Sequence, residues 1–279
     1  MAPLREPAGP EGARPALDKM VIVNLLARRF GYRRFLELST PTTGLLNHHL
    51  DRAWLTEAFR IEYGRDATGH HRPADLEQQA DWSTDGLDIA APLAALDARA
   101  GAIDIALVDP FHTHAQSLRD IAEVWRRLRP GGAIVVHDCL PDQPSLVSPG
   151  YVGGPWCGET YRAFVDFAWS RADPFVTVDV DYGCGIIAKP GPARSDDGLA
   201  AALATIRDGG HADTLYGRYL RSRWCRLADH PRRFRFFRRH RRRLANVVSV
   251  DAFLRLVGVD PGESIPASPA GGRSSGFAR

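Results

Sequence analysis

The stretch from Ile103 to Pro141 reads IDIALVDPFHTHAQSLRDIAEVWRRLRPGGAIVVHDCLP, and its hydrophobic pattern decides the fold. Two short apolar runs, Ile103–Val108 and Ala133–Val136, have the length and composition of buried strands. Apolar residues between the runs recur at helical spacing until the residues RPGG at 129–132, which are predicted to end the helix. The order strand, helix, strand predicts two neighbouring parallel strands in a sheet that is covered on both faces.

Polar residues follow both of these strands directly. Asp109 and His112 come after the first strand, and His137 and Asp138 come after the second. Ligands of open parallel sheets bind outside the carboxyl ends of the strands, so these four side chains are expected to converge in one crevice. Two carboxylates and two imidazoles can hold a divalent metal or perform acid–base chemistry. We favour this reading over helix caps and solvated histidines because the residues occur as a paired set.

Composition is typical of a soluble globular enzyme with one large domain and some additions. The chain has 279 residues, of which 44% are hydrophobic and 25% are charged. No run approaches about 18 apolar residues, so no membrane span is expected. The N-terminus lacks the apolar core of a secretory signal. The four cysteines are widely spaced and form no CxxC pair, which predicts reduced thiols in a cytoplasmic protein.

The segment around Glu37 predicts a cofactor-binding edge. Phe35–Leu38 is the candidate first strand, and the turn at 39–44 leads into a helix from about Leu45. In a doubly wound fold the first such loop receives the cofactor, whose polar parts can bind backbone N–H groups and hydroxyls. This loop has a single glycine and therefore lacks a dinucleotide fingerprint, which disfavours hydride transfer with NAD. The candidate residues are Glu37, Ser39, Thr40, Thr43 and Gly44.

A second strand at Phe59–Tyr63 predicts further cofactor contacts. An acidic residue after this strand often binds ribose hydroxyls. Glu62 and Asp66 are both candidates for that role, and Tyr63 lies beside Glu62. Asp85 precedes a predicted helix over 86–99 and is either a cap of that helix or a contact to the bound base.

The region after the central unit predicts a loop, a helix, a hairpin and a helical extension. The loop at 142–158 contains Trp156, which could cover a substrate, and 159–170 has helical periodicity. The residues FVTVDVDYGCGIIAKP at 175–190 predict an antiparallel hairpin at a sheet edge. The block RRFRFFRRHRRRL at 232–244 could bind nucleic acid or an anionic membrane. We favour a helix that packs its phenylalanines on the domain and leaves its arginines in water.

The order of these pieces resembles the class I S-adenosylmethionine-dependent methyltransferases. More narrowly, it resembles bacterial metal-dependent enzymes that methylate sugar hydroxyls in glycans and antibiotics, including actinobacterial mannoside methyltransferases. The resemblance covers about Tyr32 to Lys189 and is strongest in LRDIAEVWRRLRPGGAIVVHDCLP and TVDVDYGCGII. It differs from the family pattern at Ser39, where the first loop usually has a glycine, and at His137, where magnesium-dependent relatives often have a second acid.

The resemblance implies an α/β fold with a Rossmann-like, doubly wound sheet and helical additions at both ends. It also implies two cofactors, S-adenosylmethionine and Mg²⁺. Asp109 and Asp138 are expected to bind the metal, His137 to complete or flank its shell, and His112 to act as the general base. The expected organisation is a disordered N-terminus at 1–18, a methyltransferase domain at 19–190, a helical extension at 198–260 and a disordered tail at 261–279.

The expected reaction is transfer of a methyl group to a sugar hydroxyl of a glycan or glycoside. Three alternatives stay open: an O-methyltransferase for a phenolic or polyketide product, a methyltransferase-like protein that binds RNA through the arginine block, and a catalytically silent scaffold. We expect no nucleic-acid partner, and the sequence is compatible with a homo-oligomer.

Overall fold

The computed structural model describes residues 17–40, 49–63, 80–84, 87–109, 111–151, 155–171, 173–191, 198–206, 212–221 and 230–260. The strands are β1 (Arg34–Ser39), β2 (Glu57–Glu62), β3 (Trp82–Ser83), β4 (Ile103–Asp109), β5 (Leu128–Val136), β6 (Phe175–Val178), β7 (Cys184–Ala188) and β8 (Val247–Val248). The helices are α1 (Lys19–Phe30), α2 (Ala90–Ala100), α3 (His114–Arg127), α4 (Thr160–Arg171), α5 (Leu199–Ala204), α6 (Ala212–Arg221), α7 (His230–Leu244) and α8 (Val250–Leu256), with a short 3-10 helix at Pro144–Val147.

The strands form one sheet in the order β3-β2-β1-β4-β5-β7-β6-β8. Strands β1 to β5 are all parallel, whereas β7 runs antiparallel between β5 and β6. The strand order reverses between β1 and β4, and this switch point opens a crevice at the carboxyl ends of the strands. The predicted α/β doubly wound sheet is therefore confirmed.

Both faces of the sheet are covered by helices, which explains the continuous apolar sequence of the central strands. Along β4, Ala106 and Val108 pack into one hydrophobic cluster, and Ile105 and Leu107 pack into the other. Successive strand residues point to opposite faces, so a strand that is buried on both sides is apolar along most of its length.

The predicted hairpin is present, but its position at the sheet edge was wrong. β8 lies outside the hairpin and pairs in parallel with β6, through Thr177 with Val247 and Val178 with Val248. Two strand residues are too few to show a period of two, so the sequence contained no signal for β8. The C-terminal segment consequently adds a strand to the same sheet.

Two predicted element boundaries also differ from the structure. The residues RPGG at 129–132 lie within β5, because the helix already ends at Arg127 and the strand begins at Leu128. Gly132 allows close strand approach, since a Cβ there would meet the carbonyl oxygen of Asp104 at 2.7 Å. The helix predicted over 86–99 begins later, at Ala90, whose N–H donates to the Asp88 carboxylate at 2.9 Å.

The arginine-rich helix α7 packs its phenylalanines on the domain, as expected. Phe234 and Phe237 are buried, and the Phe237 ring lies 4.5 Å from that of Tyr161 in α4. No helix in the described ranges is both long enough and apolar enough to cross a bilayer.

Candidate active site

The four polar residues predicted to converge do meet at the carboxyl ends of β4 and β5. Val108 pairs with Val136, which places Asp109 beside His137 at the crevice. His137 Nδ1 lies 3.2 Å from Asp109 Oδ1, and His112 Nε2 lies 3.2 Å from Asp138 Oδ2. The placement predicted from the sequence is confirmed, whereas the chemical role of each residue stays a prediction.

A third carboxylate, that of Asp181, lies behind His137. Asp181 Oδ2 lies 3.1 Å from His137 Nε2, and the other ring nitrogen faces Asp109 at 3.2 Å and Asp138 at 3.5 Å. A carboxylate behind a histidine is the usual way in which proteins aim an imidazole at a metal. Asp181 lies within the hairpin predicted at 175–190, and the sequence analysis gave it no role in the site. The only feature of the sequence that could have marked Asp181 was an aspartate in a turn after an apolar strand.

His112 is held by the start of α4 and the turn before it. Its Nδ1 lies 3.2 Å from the hydroxyl of Thr160, and the N–H of Glu159 donates to its carbonyl oxygen at 2.7 Å. Gly158 has φ +53°, and a Cβ there would meet that same carbonyl oxygen at 2.1 Å. The backbone of this turn therefore approaches His112 as closely as glycine allows, which leaves the imidazole little freedom.

Aromatic rings line one side of His112. The Trp156 ring lies 5.4 Å from the imidazole, and the Phe111 and Tyr151 rings lie 5.1 Å and 5.6 Å from Trp156. Trp156 is buried and donates its indole N–H to the carbonyl oxygen of Ser148 at 2.8 Å. Tyr151 is exposed and extends this aromatic wall toward solvent.

Lys19, the first residue of α1, enters the site as a cation that the sequence analysis missed. Its Nζ donates to Asp109 Oδ2 at 2.6 Å and lies 3.4 Å from His137 Nδ1. The N-cap Asp18 accepts hydrogen bonds from Met20 and Val21, so the start of the helix is well defined. In the sequence, residue 19 was only the start of the predicted methyltransferase domain.

These charges stabilise one another. Burial of Asp109 favours its neutral form, but Lys19 and His137 outweigh burial and hold the pKa of Asp109 well below its usual range. Burial likewise opposes the charge on His137, but Asp138 and Asp109 raise the pKa of His137 well above its ordinary value. The same balance raises the pKa of Lys19, because Asp109 outweighs burial. At neutral pH the site thus combines ionised carboxylates with two cations.

The donor atoms of Asp109, His137 and Asp138 could hold one metal ion. One ligand atom from each residue lies within 4.8 Å of the others, and all three side chains are buried. Two carboxylates suit a hard cation, and an imidazole with a carboxylate behind it is an ordinary ligand for divalent transition metals. The residues therefore fit a divalent ion, provided that His137 is neutral when it coordinates.

The cofactor edge lies directly beside this cluster. Ser39 at the end of β1 pairs with Asp109 on one side and Glu62 on the other. Glu37, Ser39, Thr40 and Glu62 are all buried at this edge. Tyr63 points the other way, because its hydroxyl donates to Asp120 at 2.5 Å, so only its backbone faces the edge.

A buried arginine, Arg60, joins these candidates and was not singled out from the sequence. Its Nε donates to the Ser39 hydroxyl at 2.9 Å and lies 3.6 Å from Glu37, and its Nη2 lies 3.2 Å from Glu62. Ser39 stands where the family pattern usually has a glycine, and its hydroxyl therefore accepts a hydrogen bond from a residue of β2. The feature of the sequence that could have marked Arg60 was an arginine within the predicted strand FRIEY.

The remaining candidates, Thr43, Gly44, Asp66 and Asp85, lie outside the described residues.

The fold and a sequence comparison together define the class of the protein. Residues 43–139, about a third of the chain, match a family model described as a methyltransferase domain. The parallel strands in the order 3-2-1-4-5, followed by an antiparallel β7 between β5 and β6, form the sheet of class I methyltransferases. The chain therefore has the fold of class I methyltransferases, and residues 43–139 resemble a methyltransferase domain.

Solved structures of methyltransferases are similar to the chain at low identity. TomG, the O-methyltransferase from Streptomyces achromogenes, is 22% identical with a TM-score of 0.40, over 62% of this chain and 80% of that chain. An O-methyltransferase family protein from Burkholderia thailandensis is 14% identical with a TM-score of 0.40, over 63% and 56%. MycE from the mycinamycin pathway is 16% identical with a TM-score of 0.38, over 60% of this chain. The match spans only 48% of MycE. No curated protein sequence matches the chain.

Proposed function

We propose that the protein transfers a methyl group from S-adenosylmethionine to a hydroxyl oxygen of a sugar, in a glycan or glycoside. One observation carries this proposal: His112 and the buried cluster of Asp109, His137 and Asp138 lie directly beside the cofactor edge. An alcohol is a very weak acid, so methylation of its oxygen is helped both by a base and by positive charge near that oxygen. The crevice brings residues for both tasks together.

His112 is the proposed general base. With Nδ1 at the Thr160 hydroxyl, the ring can present Nε2 toward the crevice beside Asp138. There Nε2 would take the proton of the acceptor hydroxyl. Rigid support from Thr160 and Gly158 keeps the base in place.

Asp109, Asp138 and His137 are the proposed ligands of a divalent cation such as Mg²⁺, with Asp181 orienting the histidine. When bound, S-adenosylmethionine supplies an electrophilic methyl group and the metal stabilises negative charge on the acceptor oxygen. Glu37, Ser39, Thr40 and Glu62, the polar residues of the adjoining edge, are the proposed cofactor contacts. The proposal extends to Thr43, Gly44 and Asp85 from the sequence alone.

A phenolic acceptor is the second candidate, and the aromatic wall favours it. Trp156 and the exposed Tyr151 could stack on a phenol or polyketide ring as well as on the apolar face of a sugar. The discriminating experiment incubates the protein with labelled S-adenosylmethionine and matched panels of glycosides and phenols, with and without EDTA. Label transferred only to glycosides and lost in EDTA supports the proposal. Label on phenols alone would show that the acceptor is a phenol and not a sugar. Full activity in EDTA would show that the reaction needs no metal.

The role of His112 predicts a specific pattern in variants. His112→Gln keeps a polar side chain but loses basicity, so turnover should fall by about a hundredfold to ten-thousandfold. Binding of S-adenosylmethionine, measured by calorimetry, should stay within about twofold of the parent protein, because His112 does not belong to the cofactor edge. Thr160→Val, which removes only the hydroxyl beside Nδ1, should cause a smaller loss. Near-normal turnover in His112→Gln would eliminate His112 as the base.

A further inference from the structure

Lysine is rare in this protein, and one of its few lysines lies in the active site. Of the 36 Lys and Arg residues only two are lysine, Lys19 and Lys189. The Lys19 side chain is only 17% exposed, and its ammonium donates to Asp109 Oδ2 at 2.6 Å. Its backbone N–H also lies 3.4 Å from Asp181 Oδ2, so α1 starts in contact with the carboxylate that orients His137.

The Lys19 ammonium lies close to two of the three proposed metal ligands. It lies 2.6 Å from an oxygen of Asp109 and 3.4 Å from Nδ1 of His137, which are two of the three proposed ligands. A divalent ion bonded to both groups would sit a few ångströms from a fixed positive charge, and like charges this close repel strongly in a buried site. The two cations therefore exclude each other from this position.

If a metal binds, the Lys19 side chain can move away, whereas the helix backbone is held in place. The α1 backbone is anchored by the Asp18 cap and by buried residues one and two turns further on, including Ile22, Val23 and Leu26. The lysine stem is flexible, with an ammonium that prefers water, so it can rotate toward the crevice mouth without moving the helix.

We propose that Lys19 is an internal competitor of the divalent cation: its ammonium neutralises Asp109 when no metal is bound and must leave Asp109 before metal binds. Lys19 thereby lowers the affinity of the site for a divalent ion. This inference rests on the metal site of the proposed function.

The test compares Mn²⁺ affinity, measured by electron paramagnetic resonance and calorimetry, in four proteins. Lys19→Met removes the competing charge and should bind Mn²⁺ at least about tenfold more tightly than the parent protein. Lys19→Arg keeps the charge and should stay close to the parent protein. Lys189→Met is the matched control, because Lys189 Nζ donates to the carbonyls of Trp125 and Leu128 at the opposite end of the sheet. Its Mn²⁺ affinity should be unchanged.

A second measurement uses the unaltered protein and does not depend on how the variants fold. Protein labelled with ¹⁵N-lysine has two ammonium groups to observe by NMR. Saturating Mg²⁺ should shift the Lys19 signal, and the Lys189 signal should stay in place as an internal reference.

Two results would contradict the proposed competition. One is Mn²⁺ binding by Lys19→Met that is equal to or weaker than that of the parent protein. The other is a Lys19 signal that does not shift when Mg²⁺ binds. If neither the parent protein nor Lys19→Met binds Mn²⁺, both the competition and the metal site are wrong. Labelled methyl transfer in EDTA then still tests the transferase activity separately.

Discussion

At the scale of single residues, two carboxylates of the site belong to residues with a strained backbone. Asp138 has φ 61° and Asp181 has φ 49°, both in the left-handed region that side chains with a Cβ rarely occupy. Aspartate tolerates this conformation better than most residues, but it still costs free energy, and such strain clusters at functional sites. Here both strained residues direct a carboxylate at a histidine, Asp138 at His112 and Asp181 at His137.

The position of Asp181 behind His137 predicts a role in metal affinity without direct contact to the metal. Asp181→Ala removes the group that holds the ring and increases its basicity, so Mn²⁺ affinity should fall by about tenfold to a hundredfold. Calorimetry measures this loss. Asp179→Ala is the control, because it removes an exposed carboxylate two residues away in the same hairpin. Equal affinities in both variants would show that Asp181 does not position His137.

At the scale of elements, helix α7 has a highly basic sequence, yet one of its faces packs in the core. Phe234 and Phe237 lie three residues apart and therefore share one face of the helix, which is buried against α4. Arg235, Arg238 and Arg242 point outward and are exposed. The helix thus contributes apolar area to the fold while its charges remain hydrated.

This arrangement predicts different stability losses on the two faces of α7. Phe237→Ala should lower the free energy of unfolding by about 3–5 kcal/mol, because it leaves a cavity at a fully buried position. Arg238→Gln with Arg242→Gln should change it by less than about 0.5 kcal/mol, since both residues are exposed. Urea unfolding measures both effects. A larger loss from the arginine changes, or loss of RNA binding without loss of stability, would contradict a purely structural α7.

At the scale of the whole molecule, the covered sheet buries two acids so deeply that burial dominates their pKa values. Asp120 in α3 accepts hydrogen bonds from Tyr63 at 2.5 Å and Gln116 at 2.8 Å. Burial nevertheless dominates over these bonds and raises the pKa of Asp120 to about 7. Glu37 has its pKa raised to about 7 for the same reason, because burial outweighs the attraction of Arg60.

Raised carboxyl pKa values predict how stability depends on pH. Below its ordinary pKa, Asp120 is protonated in both states and its contribution to stability is complete. That contribution is lost as pH rises through about 7, because the folded protein must then bury a charge. The parent protein should therefore be less stable at pH 8 than at pH 5 through this group.

Asp120→Asn, which cannot ionise and still accepts both hydrogen bonds, should reduce that difference in unfolding free energy. Urea unfolding at the two pH values gives the comparison. Asp251→Asn, an exposed carboxyl change in α8, is the control. An unchanged difference in Asp120→Asn would exclude Asp120 as the source.

The sequence by itself determined the parallel strands and the four residues that follow them. The continuous apolar runs of β4 and β5 can be satisfied only by burial on both faces, and parallel neighbours end at the same edge. Asp109, His112, His137 and Asp138 therefore had to lie together. The burial of Phe234 and Phe237 followed in the same way from helical spacing.

Only the tertiary structure decided the partners of these residues. Lys19 reaches Asp109 across 90 positions of sequence, and Asp181 reaches His137 from a turn that local signals mark only as a turn. Arg60 and β8 likewise depend on neighbours that lie far apart along the chain. Periodicity encodes which face of an element is buried, because burial repeats with the backbone. It does not encode which distant side chain will lie opposite, since that depends on how the packed elements bring their ends together.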